Sequence, residues 1–176
     1  MKLEDVYPDF SAPHAGGDKG TEHSYIPIYS KHVPETTRSI LEVGVWEGHS
    51  LAMWQAYLPH ARVTGMDITD RRLKFDVDCL VGNATSREDV DRLIGFDIFD
   101  VIIDDGSHKV DDQIRTFDLL WPRLAKGGRF FIEDVAGTRE RQKLEQVFES
   151  RNLFYTVWDL RHVKDRFDDI LRMVEK

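Results

Sequence analysis

The chain has 176 residues, 41% of them hydrophobic and 32% charged, a composition that suits one globular domain with a sizeable core. Its formal net charge of -8 argues against a broad nucleic-acid footprint, because phosphate recognition needs a basic surface; a small neutral or cationic ligand fits better. The lone cysteine, Cys79, excludes an internal disulfide and a cysteine-based zinc site. No apolar stretch approaches the roughly 20 residues of a membrane span, and MKLEDVYPDF lacks the apolar core of a signal peptide, so a cytoplasmic protein without membrane contacts is expected.

In chain order, residues 1–20 are rich in Pro, Gly and Asp, end in GGDKG, and read as an irregular arm. Residues 21–33 hold Tyr25, Ile28, Tyr29 and Val33, an aromatic-bearing helix started or interrupted near Pro27. An apolar strand over 38–45 precedes a helix over 47–59, with Leu51, Trp54 and Leu58 at helical spacing. A second strand over 61–70 runs into acids, and DCLVGNA (78–84) is a short third. Ser86 and Asp89 come close to a capping box for a helix over 86–95. A strand over 99–106, an amphipathic helix over 110–124, a turn at Lys126-Gly127-Gly128, a strand over 129–135 and a charged helix over 138–151 follow. Strands over 154–161 and 168–176 have too short a connection for a crossover helix and therefore pair antiparallel. Strands alternating with helices predict an α/β domain, its mostly parallel sheet covered on both faces.

The first strand runs into Glu42-Val43-Gly44-Val45-Trp46-Glu47-Gly48. A glycine at that turn lets a ligand approach the backbone near free N–H groups of the next helix. Trp46 and His49 stand where a dinucleotide fingerprint has its second and third glycines, and no Walker lysine follows. The segment is either a plain strand-to-helix turn or the seat of a nucleoside-type ligand, cationic or zwitterionic because Glu42 and Glu47 are near. Asp67, 23 residues past Gly44, suits the two hydroxyls of a ribose; dinucleotide folds use the same logic, and a solvated strand-end acid is the plain alternative. Gly82-Asn83-Ala84 suits an adenine edge.

Asp105 ends the fourth strand, and Glu133 and Asp134 end the fifth. On neighbouring strands these acids would converge on the crevice where open α/β sheets bind ligands, repel, and raise each other's pKa values. Mg²⁺ would relieve that repulsion; separate hydrated acids are the alternative. His108, past Gly106 and Ser107, lies where a turn can aim its imidazole over the crevice as a general base. Asp104 either orients a neighbour or faces the cofactor side. His23 and His49 either line a pocket or lie on the surface, while His14, His60 and His162 fall in loops without a role. Arg139 and Arg141 suit acceptor contacts and a solvated helix face equally.

The segments EVGVWEGHS (42–50), GMDITD (65–70), VGNA (81–84), FDVIIDDGSH (99–108) and GGRFFIEDV (127–135) resemble class I S-adenosylmethionine-dependent methyltransferases. With DKGTEHSYIPIY (18–29), the pattern is similar to the metal-dependent sugar O-methyltransferases of macrolide and related antibiotic biosynthesis. The resemblance implies a Rossmann-like sheet of seven strands, order 3-2-1-4-5-7-6, the last strand antiparallel. It implies S-adenosylmethionine held by Glu42, Gly44, Gly48, Asp67, Asn83, Ala84 and Asp104, and Mg²⁺ held by Asp105, Glu133 and Asp134. His108 would deprotonate a hydroxyl of a sugar or glycosylated natural product. Residues 1–36 would form an arm and helix over the cofactor site, and residues 37–176 the catalytic domain. Methyltransferases of this kind carry further helices or a further domain, so the acceptor pocket is open, borrowed from a partner subunit, or retuned; a homo-oligomer is left open. The competing readings are a metal-independent small-molecule methyltransferase, an NAD-type oxidoreductase and a non-enzymatic nucleoside-binding module.

Overall fold

The computed structural model describes residues 2–12, 17–70 and 72–176; His14 lies outside the described residues. Seven strands, β1 (Ser39–Val43), β2 (Arg62–Asp67), β3 (Asp78–Val81), β4 (Phe99–Asp104), β5 (Leu124–Ile132), β6 (Tyr155–Asp159) and β7 (Ile170–Glu175), form one sheet. Their order is β3-β2-β1-β4-β5-β7-β6, as the resemblance implied. Neighbours from β3 to β5 pair parallel, and β7 runs antiparallel to both β5 and β6. The helices are α1 (Leu3–Val6), α2 (Ile26–His32), α3 (His49–Tyr57), α4 (Arg87–Leu93), α5 (Val110–Leu120), α6 (Thr138–Ser150) and α7 (Arg161–Lys164).

Side chains that alternate along a strand point to opposite faces, so each strand feeds two cores. Ile40, Val63, Val101, Ile103 and Phe131 pack with α3 and with Leu3, Val6, Tyr25 and Tyr29. Leu41, Met66, Ile102, Phe130 and Ile132 pack instead with Val90, Phe117, Leu144 and Phe148 of α4, α5 and α6. Both faces are covered, which is why the central strands read as nearly continuous apolar runs. The Ser86 hydroxyl accepts the Asp89 N–H at 3.4 Å and caps α4 as the sequence pattern predicts.

Several boundaries differ from expectation. The arm is not irregular throughout: Leu3–Val6 is helical, Tyr7–Phe10 forms a 3₁₀ turn, and Leu3, Val6 and Tyr7 are buried. Their i, i+3, i+4 spacing presents one apolar face to α2 and α3, a short signal that the Pro and Gly content of the arm masks in the sequence. Helix α5 stops at Leu120, and Trp121–Arg123 continues as a 3₁₀ turn around Pro122. Strand β5 begins at Leu124 and carries the expected turn at 126–128 within it, with a register shift against β4 and Gly127 at φ 76°. It ends at Ile132, so Glu133 and Asp134 lie beyond it, with Asp134 at φ 55°. The connection from β6 to β7 is a hairpin as expected and holds the four-residue α7.

Candidate active site

The carboxyl ends of β1, β2, β4 and β5 open onto a cleft of about 620 Å³. This is the crevice that parallel α/β sheets offer to ligands. Glu42, Gly44, Asp67, Asn83, Ala84, Asp104, Asp105, His108 and Asp134 all line it. Gly48 and Glu133 do not. Gly48 starts α3 at φ 89°, and a Cβ there would meet Val77 at 3.2 Å, so this glycine serves the turn itself. Gly44 lines the cleft, but its side-chain space is filled by protein: a Cβ would lie 2.0 Å from the Asp105 carbonyl oxygen.

The residues expected on the cofactor side are held in place by their own neighbours. Glu42 is fully buried and accepts hydrogen bonds from Ser50 at 2.9 Å and the Trp54 indole at 3.0 Å. Burial raises its carboxyl, with Lys19 opposing. Asp67 accepts from the Val45 and Trp46 N–H groups on one oxygen, and from the Thr69 N–H and hydroxyl on the other. Burial alone would raise its pKa, but these hydrogen bonds outweigh it and hold the carboxylate below its usual range. Asn83 turns its carbonyl back onto Thr85, and its N–H donates to Asp89 at 2.9 Å. Asp104 is buried, accepts one bond from the Gly106 N–H, and has no partner for its second oxygen among the described residues. Burial pushes this carboxyl up to about 8, with Asp105 adding to the rise.

On the other side of the cleft, Asp105, His108 and Asp134 each bring a ligand atom within 4.8 Å of the others. His108 sits at φ 57°, half exposed, with Nε2 3.9 Å from Asp134. The turn through Gly106 and Ser107 therefore does aim the imidazole over the cleft. Burial and the Asp105 charge raise Asp134 to about 8, against a 2.7 Å hydrogen bond from Tyr25. Lys19, 2.7 Å from Asp105, offsets this like charge only in part; a divalent cation would relieve the rest, and two carboxylates with an imidazole close by are groups that suit its surroundings. Glu133 is not part of this group, although it shares the Lys19 ammonium with Asp105. It is buried, 2.6 Å from Lys19 Nζ, and accepts the Tyr29 hydroxyl at 2.5 Å.

Sequence reasoning missed Lys19, Tyr25, Tyr29 and Ser50 as site-building residues. DKG and the two tyrosines stood in the quoted arm segment, but nothing local tells which distant acids they reach. His23 and His49 lie neither in the cleft nor on the surface. Both are buried outside the cleft: His23 stacks on Tyr25 with Nδ1 3.2 Å from Asp134, and His49 pairs with the Phe10 carbonyl at 3.2 Å. Arg141 lies within 4 Å of Glu145 and Asp159.

No family model matches the chain. It is 32% identical over 130 residues to the mycinamicin VI 2''-O-methyltransferase of Micromonospora griseorubida, covering 66% of this chain and 32% of that protein. It is 34% identical over 135 residues to the 8-demethyl-8-alpha-L-rhamnosyl tetracenomycin-C 2'-O-methyltransferase of Streptomyces olivaceus, covering 68% and 35%. The chain belongs to the class I S-adenosylmethionine-dependent methyltransferases. Among them it resembles the macrolide sugar O-methyltransferases, and it spans about a third of the length of the curated relatives it matches. The fold agrees: the MycE methyltransferase of the mycinamycin biosynthetic pathway, solved with Mg, SAH and mycinamycin VI, superposes with a TM-score of 0.78 at 23% identity. That superposition covers 100% of this chain and 54% of the other. No helix among the described residues is long and apolar enough to cross a membrane.

Proposed function

We propose that this protein is an S-adenosylmethionine-dependent O-methyltransferase, assisted by Mg²⁺, that methylates a hydroxyl of a sugar or glycosylated natural product. The observation that carries the reading is one cleft with a nucleoside-suited half beside a group of Asp105, His108 and Asp134. The names of the sequence relatives supply the reaction and the acceptor class.

In this reading Asp67 takes the ribose, exchanging the rotatable Thr69 hydroxyl for ribose donors. Asn83 and Ala84 flank the adenine. Glu42 and the Gly44 turn hold the methionine end, with the unpartnered oxygen of Asp104 available to a ligand donor. Gly48 acts indirectly, through the turn. Asp105 and Asp134 hold the cation with His108 in reach; Glu133, the third acid that the family pattern assigns to the metal, supports them from below. Mg²⁺ bound there would stabilise the developing alkoxide and orient the acceptor oxygen. His108 takes the proton from the acceptor hydroxyl, and Asp134 beside it stabilises the imidazolium that results. Residues 1–36 form the cover of the site and residues 37–176 the cofactor-binding unit. The soluble composition suits a cytoplasmic enzyme with a small-molecule acceptor. The test is transfer of a labelled methyl group from S-adenosylmethionine to a panel of glycosylated acceptors. Transfer abolished by EDTA and restored by Mg²⁺ is expected; transfer undiminished by EDTA favours the metal-independent reading.

A further inference from the structure

Lys19 is among the most buried residues of the chain, at 1% exposure. Its Nζ lies 2.7 Å from Asp105, 2.6 Å from Glu133 and 3.2 Å from Glu42. These acids come from the ends of three adjacent strands, β4, β5 and β1. An ammonium is a compact charge with three donors, so one lysine can serve three carboxylates where a planar guanidinium would not fit. The ammonium is also delivered by a fixed turn. The Asp18 carbonyl accepts the N–H groups of Thr21, Glu22 and His23, and the Lys19 carbonyl accepts that of Tyr25 at 2.9 Å. From the β6–β7 connection, Lys164 holds the Gly20 carbonyl at 2.7 Å and Arg166 holds Glu22 at 2.6 Å. On the opposite side Gln113 donates to the Glu133 carbonyl at 2.9 Å.

We propose that Lys19 is the resident cation of the site floor: a positioning residue that neutralises Glu42 in the cleft wall and Glu133 outside it, and fixes Asp105 for a second, exchangeable cation. This rests on the reading of Asp105 and Asp134 as a cation site with His108 beside it, and it adds a division of labour. Glu133 and Glu42 belong to the built-in charge, and Asp105 is shared. Three carboxylates within 3.2 Å of one Nζ surround the ammonium with opposite charge. A lysine so placed joins the methionine-side acid to the metal-side acids through one atom.

The test compares wild type, Lys19→Met and Lys19→Met/Glu133→Gln by thermal melting with and without saturating Mn²⁺, alongside S-adenosylhomocysteine calorimetry on the wild type. Without cation, Lys19→Met melts below wild type. Mn²⁺ then raises its melting temperature by more than it raises that of wild type, because the ion replaces the lost charge. Adding Glu133→Gln recovers part of the loss and removes the excess Mn²⁺ increment. A lysine that only packs the core would give equal Mn²⁺ increments in wild type and Lys19→Met, which overturns the proposal. If Lys19→Met alone does not fold, recovery of folding in the double variant supports the proposal and its absence overturns it. Wild type that binds S-adenosylhomocysteine while the increments are equal sinks the Lys19 inference alone. Wild type that binds neither ligand sinks the functional reading, and the double variant's recovery or lack of it then decides for Lys19.

Discussion

Gly44→Ala isolates how the two halves of the site are locked together. Gly44 sits at φ 86°, and an added Cβ would lie 2.0 Å from the Asp105 carbonyl oxygen and 2.6 Å from its carbonyl carbon. Both are backbone atoms, so no rotamer change relieves the overlap. Either the β1–α3 turn or the end of β4 must shift, and Asp105 moves with the latter. Gly127 supplies the control: it has φ 76° and nothing within 4 Å of its would-be Cβ. Gly127→Ala therefore costs only the left-handed backbone, about 1–2 kcal/mol. Gly44→Ala adds the collision, for a total of about 3–5 kcal/mol. At this chain length those costs lower the melting temperature by about 2–8 °C and about 6–20 °C respectively. Calorimetric melting measures both, and S-adenosylhomocysteine and Mn²⁺ titrations of Gly44→Ala should show both affinities falling together. A Gly44→Ala protein that melts no lower than Gly127→Ala, with both affinities intact, would refute the close-approach argument.

Three further outcomes are expected. Arg172 is fully buried, with Nε and Nη1 unpartnered among the described residues and Glu145 3.4 Å from Nη2; burial lowers its pKa to about 10. Replacing the pair together, Arg172→Met/Glu145→Met, should stabilise the fold by about 1–4 kcal/mol in denaturant melts, and a loss of stability would show the guanidinium to be well compensated. Asp67 has a folded pKa below its unfolded value, so its contribution is present above about pH 4 and lost as pH falls through the folded pKa. Asp67→Asn should therefore cost stability at neutral pH, with the difference from wild type shrinking on acidification; a difference independent of pH contradicts the assignment. His108→Gln should lower turnover about 10²–10⁴-fold while retaining the Mn²⁺ increment in melting temperature, whereas loss of that increment would make His108 a ligand rather than the base.

The sheet was legible because its strands are apolar runs separated by turn residues and helical periodicity, and the β6–β7 pairing followed from connection length alone. The cleft residues at strand ends were legible for the same reason: position at the carboxyl end of a parallel strand places Asp67, Asp104 and Asp105 without further information. The direction of a side chain past the last paired residue is another matter. Glu133 and Asp134 are adjacent, yet the positive φ at Asp134 sends one to the cleft and leaves the other buried under it. Lys19 was illegible as a partner because the bonds that define it span 86 and 114 residues. Gly48 and Gly44 show a limit of motif reading: both stand in the glycine turn, but the space each keeps free is claimed by Val77 and by the Asp105 backbone.

The central claim is that the cleft is built for S-adenosylmethionine. Titration calorimetry of the wild-type protein with S-adenosylmethionine and, separately, with NAD tests it most directly. The account predicts saturable heat with S-adenosylmethionine, abolished or strongly weakened in Asp67→Asn, and none with NAD. Absence of heat with S-adenosylmethionine, or binding of NAD in its place, would contradict it.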